Sequence, residues 1–172
     1  NFPTLLSQTG CVNASDATQM DDGLIPYDIN APFWSDGAAK DRWFAIPDGA
    51  HITVEQNGDW TFPNNSVLVK NFRINNALVE TRLLVKHSNG SWGGYSYEWN
   101  DTQTDATFLN AGKTKDITGQ NYIYPSSAQC MQCHTSSAGI VLGPKTRQFN
   151  RTFTYPTTGI NANQIDTLNH IG

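Results

Sequence analysis

The stretch that decides the fold is SVLVKNFRINNALVETRLLVKH, residues 66–87. Two runs rich in Val, Leu and Ile flank the pair Asn75-Asn76, and asparagine tolerates the positive φ angles of a tight two-residue turn. The stretch therefore predicts a β-hairpin.

The strand pattern continues on both sides of this hairpin. Runs such as HITVEQ, WTFP and WGGYSYEW are separated by the turn signals NGD and SNGS, so an antiparallel meander is expected from about 51 to 124. The first fifty residues mix Pro, Gly, Asp and aromatics without a clear period. They predict long N-terminal loops with one helical turn near 38–42, and the fold class expected is a β-rich α+β fold.

Length and composition limit what the chain is expected to be. With 172 residues and 38% hydrophobic content, we expect a single domain over 1–172, excised from a larger modular protein because it starts without Met. The net charge of -4 argues against a nucleic-acid partner, and no apolar run is long enough for a membrane span. Charged residues make up only 15%, which favours an exported protein, periplasmic or extracellular.

A different pattern begins at Pro125. Ser126 and Gln129 have the spacing of a capping box, which predicts the start of a short C-terminal helix. Cys130, Cys133 and His134 then follow at i, i+3 and i+4, on one helical face.

Cys-x-x-Cys-His is the attachment signature of c-type haem, because two thiols can add to the two vinyl groups of one porphyrin while the adjacent imidazole reaches the iron. With 3 Cys and 4 His in the chain, about 8 × 10⁻⁴ chance occurrences are expected. We therefore expect one covalent haem c bound by Cys130 and Cys133, with His134 as the proximal iron ligand. A redox dithiol and half of a zinc site remain as alternatives. Cys11 is left over and is expected to be a buried free thiol.

The ligand on the other side of the iron decides what a haem can do, and the sequence leaves it open. A distal Met raises the reduction potential, a distal His lowers it, and a vacant position admits small molecules. Among the available side chains, His87, His170 and Met20 are the candidates, in that order.

The segments GLIPYDINAPFWSDGAAKDRWFAIPDG, DWTFPNNSVLVKNF, YPSSAQCMQCH and LGPKTRQFNR together resemble an exported bacterial c-type cytochrome domain. Domains of that family occur in large modular redox proteins, beside quinoprotein sugar dehydrogenase-like modules, further haem domains or carbohydrate-binding modules. The resemblance implies haem attachment at Cys130, Cys133 and His134, redox partner proteins or neighbouring domains, and a polysaccharide-associated system.

A weaker likeness joins FPNNSVLVKNF, GSWGGYSYEW and the late Cys-x-x-Cys-His to the β-sheet cytochromes that include cytochrome c-prime-beta and relatives with a lysine-crosslinked haem. It implies a haem lying against an antiparallel sheet, and Lys86 occupies the place of that lysine. The expected function is single-electron transfer by a monohaem c-type cytochrome domain rather than catalysis, and no catalytic residue is assigned. The alternative is a haem enzyme or small-molecule sensor with an open distal site.

Overall fold

The computed structural model describes residues 2–172, and antiparallel strands are the main regular structure in them. The strands are β1 (Val12–Asn13), β2 (Asp16–Met20), β3 (Ile25–Tyr27), β4 (Ala39–Ala45), β5 (Thr53–Val54), β6 (Trp60–Thr61), β7 (Val67–Ile74), β8 (Ala77–Lys86), β9 (Trp92–Trp99), β10 (Ala106–Phe108), β11 (Lys113–Ile117), β12 (Gln120–Tyr124), β13 (Thr152–Thr154) and β14 (Asn161–Asn163). The helices are α1 (Ser127–Cys133), α2 (Thr146–Phe149) and α3 (Gln164–Ile171), with single 3₁₀ turns at Leu6–Gln8 and Ser136–Ala138.

Six strands form the main sheet in the order β10-β9-β8-β7-β4-β3, and every neighbouring pair is antiparallel. Four two-stranded ribbons, β1-β2, β5-β6, β11-β12 and β13-β14, surround it. The predicted β-rich, antiparallel architecture is confirmed. No helix within residues 2–172 is long and apolar enough to cross a membrane.

The central hairpin forms where the sequence predicts it. β7 pairs with β8, and the two-residue turn has φ angles of 51° at Asn75 and 67° at Asn76. Both values are positive, as in the turns whose twist matches that of the flanking strands. The meander then continues from β8 into β9 and β10.

The prediction of long N-terminal loops is only partly right, and the predicted helical turn near residue 40 is wrong. Residues 39–45 form β4, which inserts into the main sheet between β3 and β7. Arg42 and Phe44 are buried, while Trp43 belongs to the core on the opposite face of the sheet. Successive side chains of β4 thus alternate between the two faces of the sheet. The charged residues from Lys40 to Arg42 made this pattern hard to recognise in the sequence.

The main sheet is covered on both faces. On the N-terminal face, which we define by Val69, Leu83 and Tyr97, residues 2–24 supply the covering side chains, including the buried Leu6. Cys11 is buried in this cluster with a free thiol, as expected.

The opposite face, which we call the helix face, is the one that carries Leu68, Lys70, Arg82, Leu84 and Gly94. Its apolar side chains pack with Tyr27, Phe44, Trp60, Phe62, Val141 and Phe149. The segments that follow β12 therefore close this side of the sheet.

The tryptophans act mainly as core residues. Trp60 and Trp99 are buried, and Trp43 and Trp92 pack against the two large clusters. Trp34 is the exception, with 76% of its surface exposed.

One buried carboxylate ties the β11-β12 ribbon to the main sheet. Glu80 on β8 is fully buried and accepts two hydrogen bonds from Arg82, at 2.7 and 2.8 Å, and one from the Tyr122 hydroxyl at 2.7 Å. Such a charge is tolerated in a core only when it is paired and hydrogen-bonded.

Replacing Glu80 with alanine should lower the free energy of unfolding by about 3–5 kcal/mol, because it leaves the Arg82 guanidinium without its counter-ion. Urea denaturation of the purified protein measures the change. The matched control is Asp41→Ala, which breaks an exposed ion pair with Arg73 and should cost only about 0–1 kcal/mol. Equal losses in both variants would contradict the importance of the buried carboxylate.

Candidate functional site

The Cys-x-x-Cys-His segment forms α1 and the turn that follows it. Ser126 is the N-cap, its side chain accepts a hydrogen bond from the Gln129 amide, and the Gln129 side chain accepts one from the Ser126 amide. The predicted capping box is thus confirmed. The helix ends at Cys133, so His134 lies at the C-cap rather than within the helix.

α1 lies directly on β9 because a glycine is present at the contact. A Cβ added at Gly94 would lie 2.5 Å from the Cys130 Cβ and 2.9 Å from its Sγ, so no other residue fits without movement. Glycine in a strand commonly marks such a close approach. The absent side chain therefore sets how close Cys130 comes to the sheet.

The His134 ring is held by a backbone carbonyl six residues further along the chain. Its Nδ1 lies 2.6 Å from the Ile140 carbonyl oxygen, and because the carbonyl can only accept, Nδ1 carries the proton. This hydrogen bond leaves Nε2 as the atom with a free lone pair. Burial lowers the pKa of His134, as do the nearby charges of Lys70 and Arg82, against the opposing hydrogen bond to Ile140. The imidazole is therefore neutral at pH 7, the state in which it can bind a metal.

The two cysteines of the motif differ in exposure. Cys130 is partly buried against β9, Cys133 is exposed, and both have free thiols. Burial, the largest effect, raises the pKa of Cys130, whereas Arg82 and the Ser96 hydroxyl lower it. A redox dithiol needs a nucleophile whose pKa is depressed, so Cys130 lacks the property that this alternative requires.

The surroundings of the Cys-x-x-Cys-His motif argue against both a redox dithiol and a zinc site. The strand that leads into α1 is β12, which is antiparallel to β11, whereas redox dithiols usually follow a parallel strand. Within residues 2–172, no group of three or more His, Cys, Asp and Glu side chains is arranged to hold a metal ion. A structural zinc site needs four such ligands.

Beside α1 lies a cavity of about 100 Å³. Cys130 and His134 line it together with the helix face of the sheet and residues 141–144. Phe33 also lines it, although 63% of the Phe33 surface is exposed. An apolar ligand in the cavity would cover that ring.

Among the described residues, four cations line the same cavity and no carboxylate does. Lys40 and Arg42 come from β4, Lys70 from β7 and Arg82 from β8. Arg42 is paired with Asp28 at 3.1 Å, and Arg82 is paired with Glu80, which lies behind it. Lys40 and Lys70 form no ion pair in the part of the chain that the structure describes.

The three candidates for the second axial ligand do not line this cavity. His87 is hydrogen-bonded to the Tyr95 hydroxyl at 2.9 Å, and Tyr95 packs on the N-terminal face. Met20 packs on that same face, and His170 is exposed in α3. Among the histidines and methionines of residues 2–172, His134 alone contributes to the cavity lining.

Lys86 also lies apart from the cavity lining. Its Nζ donates a hydrogen bond of 2.7 Å to the Phe62 carbonyl oxygen and lies 5.9 Å from the centre of the Trp92 ring. The lysines that the sheet presents to the cavity are Lys40 and Lys70.

Several site residues were missed by sequence reasoning. Gly94, Lys70 and Arg82 are each separated from the Cys-x-x-Cys-His motif by more than thirty positions. The alternation Leu68, Lys70, Phe72 within β7 was a usable signal, because it places a lysine between two apolar residues on one face of a strand.

Comparison with family models, with curated proteins and with solved structures finds no match for this chain.

Gly94→Ala should push α1 away from β9, because its Cβ would overlap Cys130. Overpacking of this kind costs about 1–3 kcal/mol, which urea denaturation can measure. Gly143→Ala is the matched control, since its Cβ would meet nothing closer than 3.9 Å. If Gly94→Ala were as stable as the control, the close approach would not matter to the fold.

Proposed function

We propose that the chain is a monohaem c-type cytochrome domain that transfers single electrons between redox proteins or neighbouring modules outside the cytoplasm. Cys130 and Cys133 would form thioether bonds to the porphyrin, and His134 Nε2 would be the proximal ligand. The haem supplies a reversible one-electron couple when bound. The protein supplies binding, orientation and electrostatics.

The observation that carries the proposal is the state of His134 beside Cys130. Its Nδ1–H donates a hydrogen bond to the Ile140 carbonyl oxygen, which fixes the ring, and the lowered pKa of His134 leaves Nε2 without a proton at pH 7. Metal-binding histidines usually donate their other ring N–H in this way. The ring and the Cys130 thiol line one cavity, as attachment and ligation of a single group require.

Apolar side chains in the rest of the cavity lining would pack against a bound macrocycle. Ile29, Leu68, Leu84 and Val141 line it, which limits the access of water to a bound group. Exclusion of water is one of the factors that set a haem potential. Cys133 is exposed, so the edge attached there would lie near solvent, where a partner could approach.

Export and partners follow from the same proposal. Thioether attachment and the low charged fraction of 15% are consistent with a periplasmic or extracellular protein. The partner proposed is a dehydrogenase module or another electron carrier, within a polysaccharide-associated system.

Expression of the chain together with a cytochrome c maturation system tests the proposal. The purified protein should carry the mass of one haem, retained after denaturation, and should show a c-type absorption spectrum. The control is the double variant Cys130→Ala, Cys133→Ala, which should lose the covalent mass. A colourless wild-type protein without added mass would refute the proposal.

A second candidate function is favoured by one observation, namely that His87, His170 and Met20 do not line the cavity. An iron held by His134 alone would keep a free position, which allows small molecules to bind. The domain would then be a haem enzyme or a small-molecule sensor rather than an electron carrier.

Carbon monoxide separates the two functions. An electron carrier with six ligands should give a low-spin spectrum that carbon monoxide leaves unchanged, whereas an open site should be high-spin and should shift. Ala variants of His87, His170 and Met20 form the companion set. A change of spin state in one of them alone would identify that residue as the distal ligand and would refute the open site.

A further inference from the structure

We propose that Lys40 and Lys70, supported by Arg42 and Tyr27, form the site that binds the two propionate carboxylates of the haem. This inference rests on the proposed function and deepens it, because it assigns residues to the anionic edge of the cofactor. It also fixes which way the porphyrin lies across the sheet.

The first support is a set of buried donors without acceptors. Arg42 is only 5% exposed and Tyr27 only 3%. Neither the Arg42 Nε nor the Tyr27 hydroxyl has a hydrogen-bond partner within residues 2–172. Both residues line the cavity. Buried polar groups are nearly always hydrogen-bonded, so two orphans at one site indicate a missing acceptor.

The second support is the balance of charge. Of the four cations that line the cavity, Arg42 and Arg82 have carboxylate partners, and Asp28 is shared with Arg151 at 2.9 Å. Lys40 and Lys70 therefore line the cavity without an ion-pair partner among residues 2–172, in an otherwise acidic protein of net charge -4. A haem has two propionates, which would neutralise them.

The third support is the repulsion between neighbouring cations in the row. Lys70 lies directly opposite Arg42 on one neighbouring strand and opposite Arg82 on the other. Like charges in directly opposite positions are destabilising. Burial and these two arginines lower the pKa of Lys70 to about 8, and a bound carboxylate would oppose that change.

The fourth support is the position of the cations relative to Cys130. Cys130 contacts β9, whereas Lys40 and Arg42 lie on β4, and β8 and β7 separate the two strands. Three steps between neighbouring strands span about 14 Å. The vinyl and propionate edges of a haem are on opposite sides of the ring, so a porphyrin tethered at β9 extends its carboxylates toward these cations.

The test uses the matured holoprotein with Lys40→Met and Lys70→Met variants, and Lys86→Met as the control outside the cavity. Loss of a lysine that neutralises a propionate should favour the oxidised haem. We expect the one-electron equilibrium to shift about tenfold, which lowers the reduction potential by about 59 mV. The spin state should not change in the two cavity variants. Lys86→Met should shift the reduction potential far less, and Lys70→Arg should have the wild-type potential.

A second readout is the pH dependence of the potential. A propionate that loses its lysine has a raised pKa, so the pH-dependent change should move to higher pH in the two cavity variants. Unchanged potentials and pH profiles in both would overturn the assignment. So would a change of spin state in Lys70→Met, since Lys70 would then be an iron ligand.

The same cations could instead hold a free oxyanion, which inorganic phosphate and nitrite probe directly. If either anion shifts the absorption spectrum of the wild-type holoprotein and not that of Lys70→Met, the site binds free anions and the propionate assignment fails. If the wild-type protein carried no covalent haem, the proposed function itself would be refuted. That result is obtained before any variant is made.

Discussion

The close approach of α1 to β9 is the constraint on which the site depends. Because Gly94 has no side chain, the Cys130 Cβ can lie where a neighbouring Cβ would otherwise be. The chain then leaves the helix at His134 close to the sheet, and the turn through residues 135–140 brings the Ile140 carbonyl under the imidazole. One missing side chain thus determines where the thiol and the ring lie relative to the helix face.

The fold accepts an electrostatic cost on that face. Arg42, Lys70 and Arg82 form a row across three strands, and the acids that pair with the two arginines, Asp28 and Glu80, do not line the cavity. A row built only for stability would alternate charges or use apolar residues, since buried ion pairs are often no better than apolar packing. Departures from such local rules concentrate at functional sites. The row is therefore better explained by a ligand than by the fold.

The parts of the fold that sequence could predict are those encoded locally. The Asn75-Asn76 turn and the Ser126 capping box depend on a few neighbouring residues, and each has its expected geometry. β4 was missed because its alternation puts Arg42 inside, and only the partner Asp28, which follows β3, makes that burial acceptable. The cavity could not be predicted at all, since strand pairing brings β4, β7 and β8 together.

Successive side chains of a strand point to opposite faces of the sheet, and this explains why the candidates for the second axial ligand were hard to rank from sequence. His87 follows the last residue of β8 and contacts Tyr95, whose side chain packs on the N-terminal face. The neighbours of Tyr95 in the chain, Gly94 and Ser96, lie on the helix face. Lys86 shares the helix face with Leu84 but lies further along β8, where it reaches the Phe62 carbonyl. Under the proposed function, the exposed Cys133 and the partly buried Lys70 then mark opposite edges of the macrocycle. Electrons would be exchanged at the thioether edge, because the cations enclose the carboxylate edge.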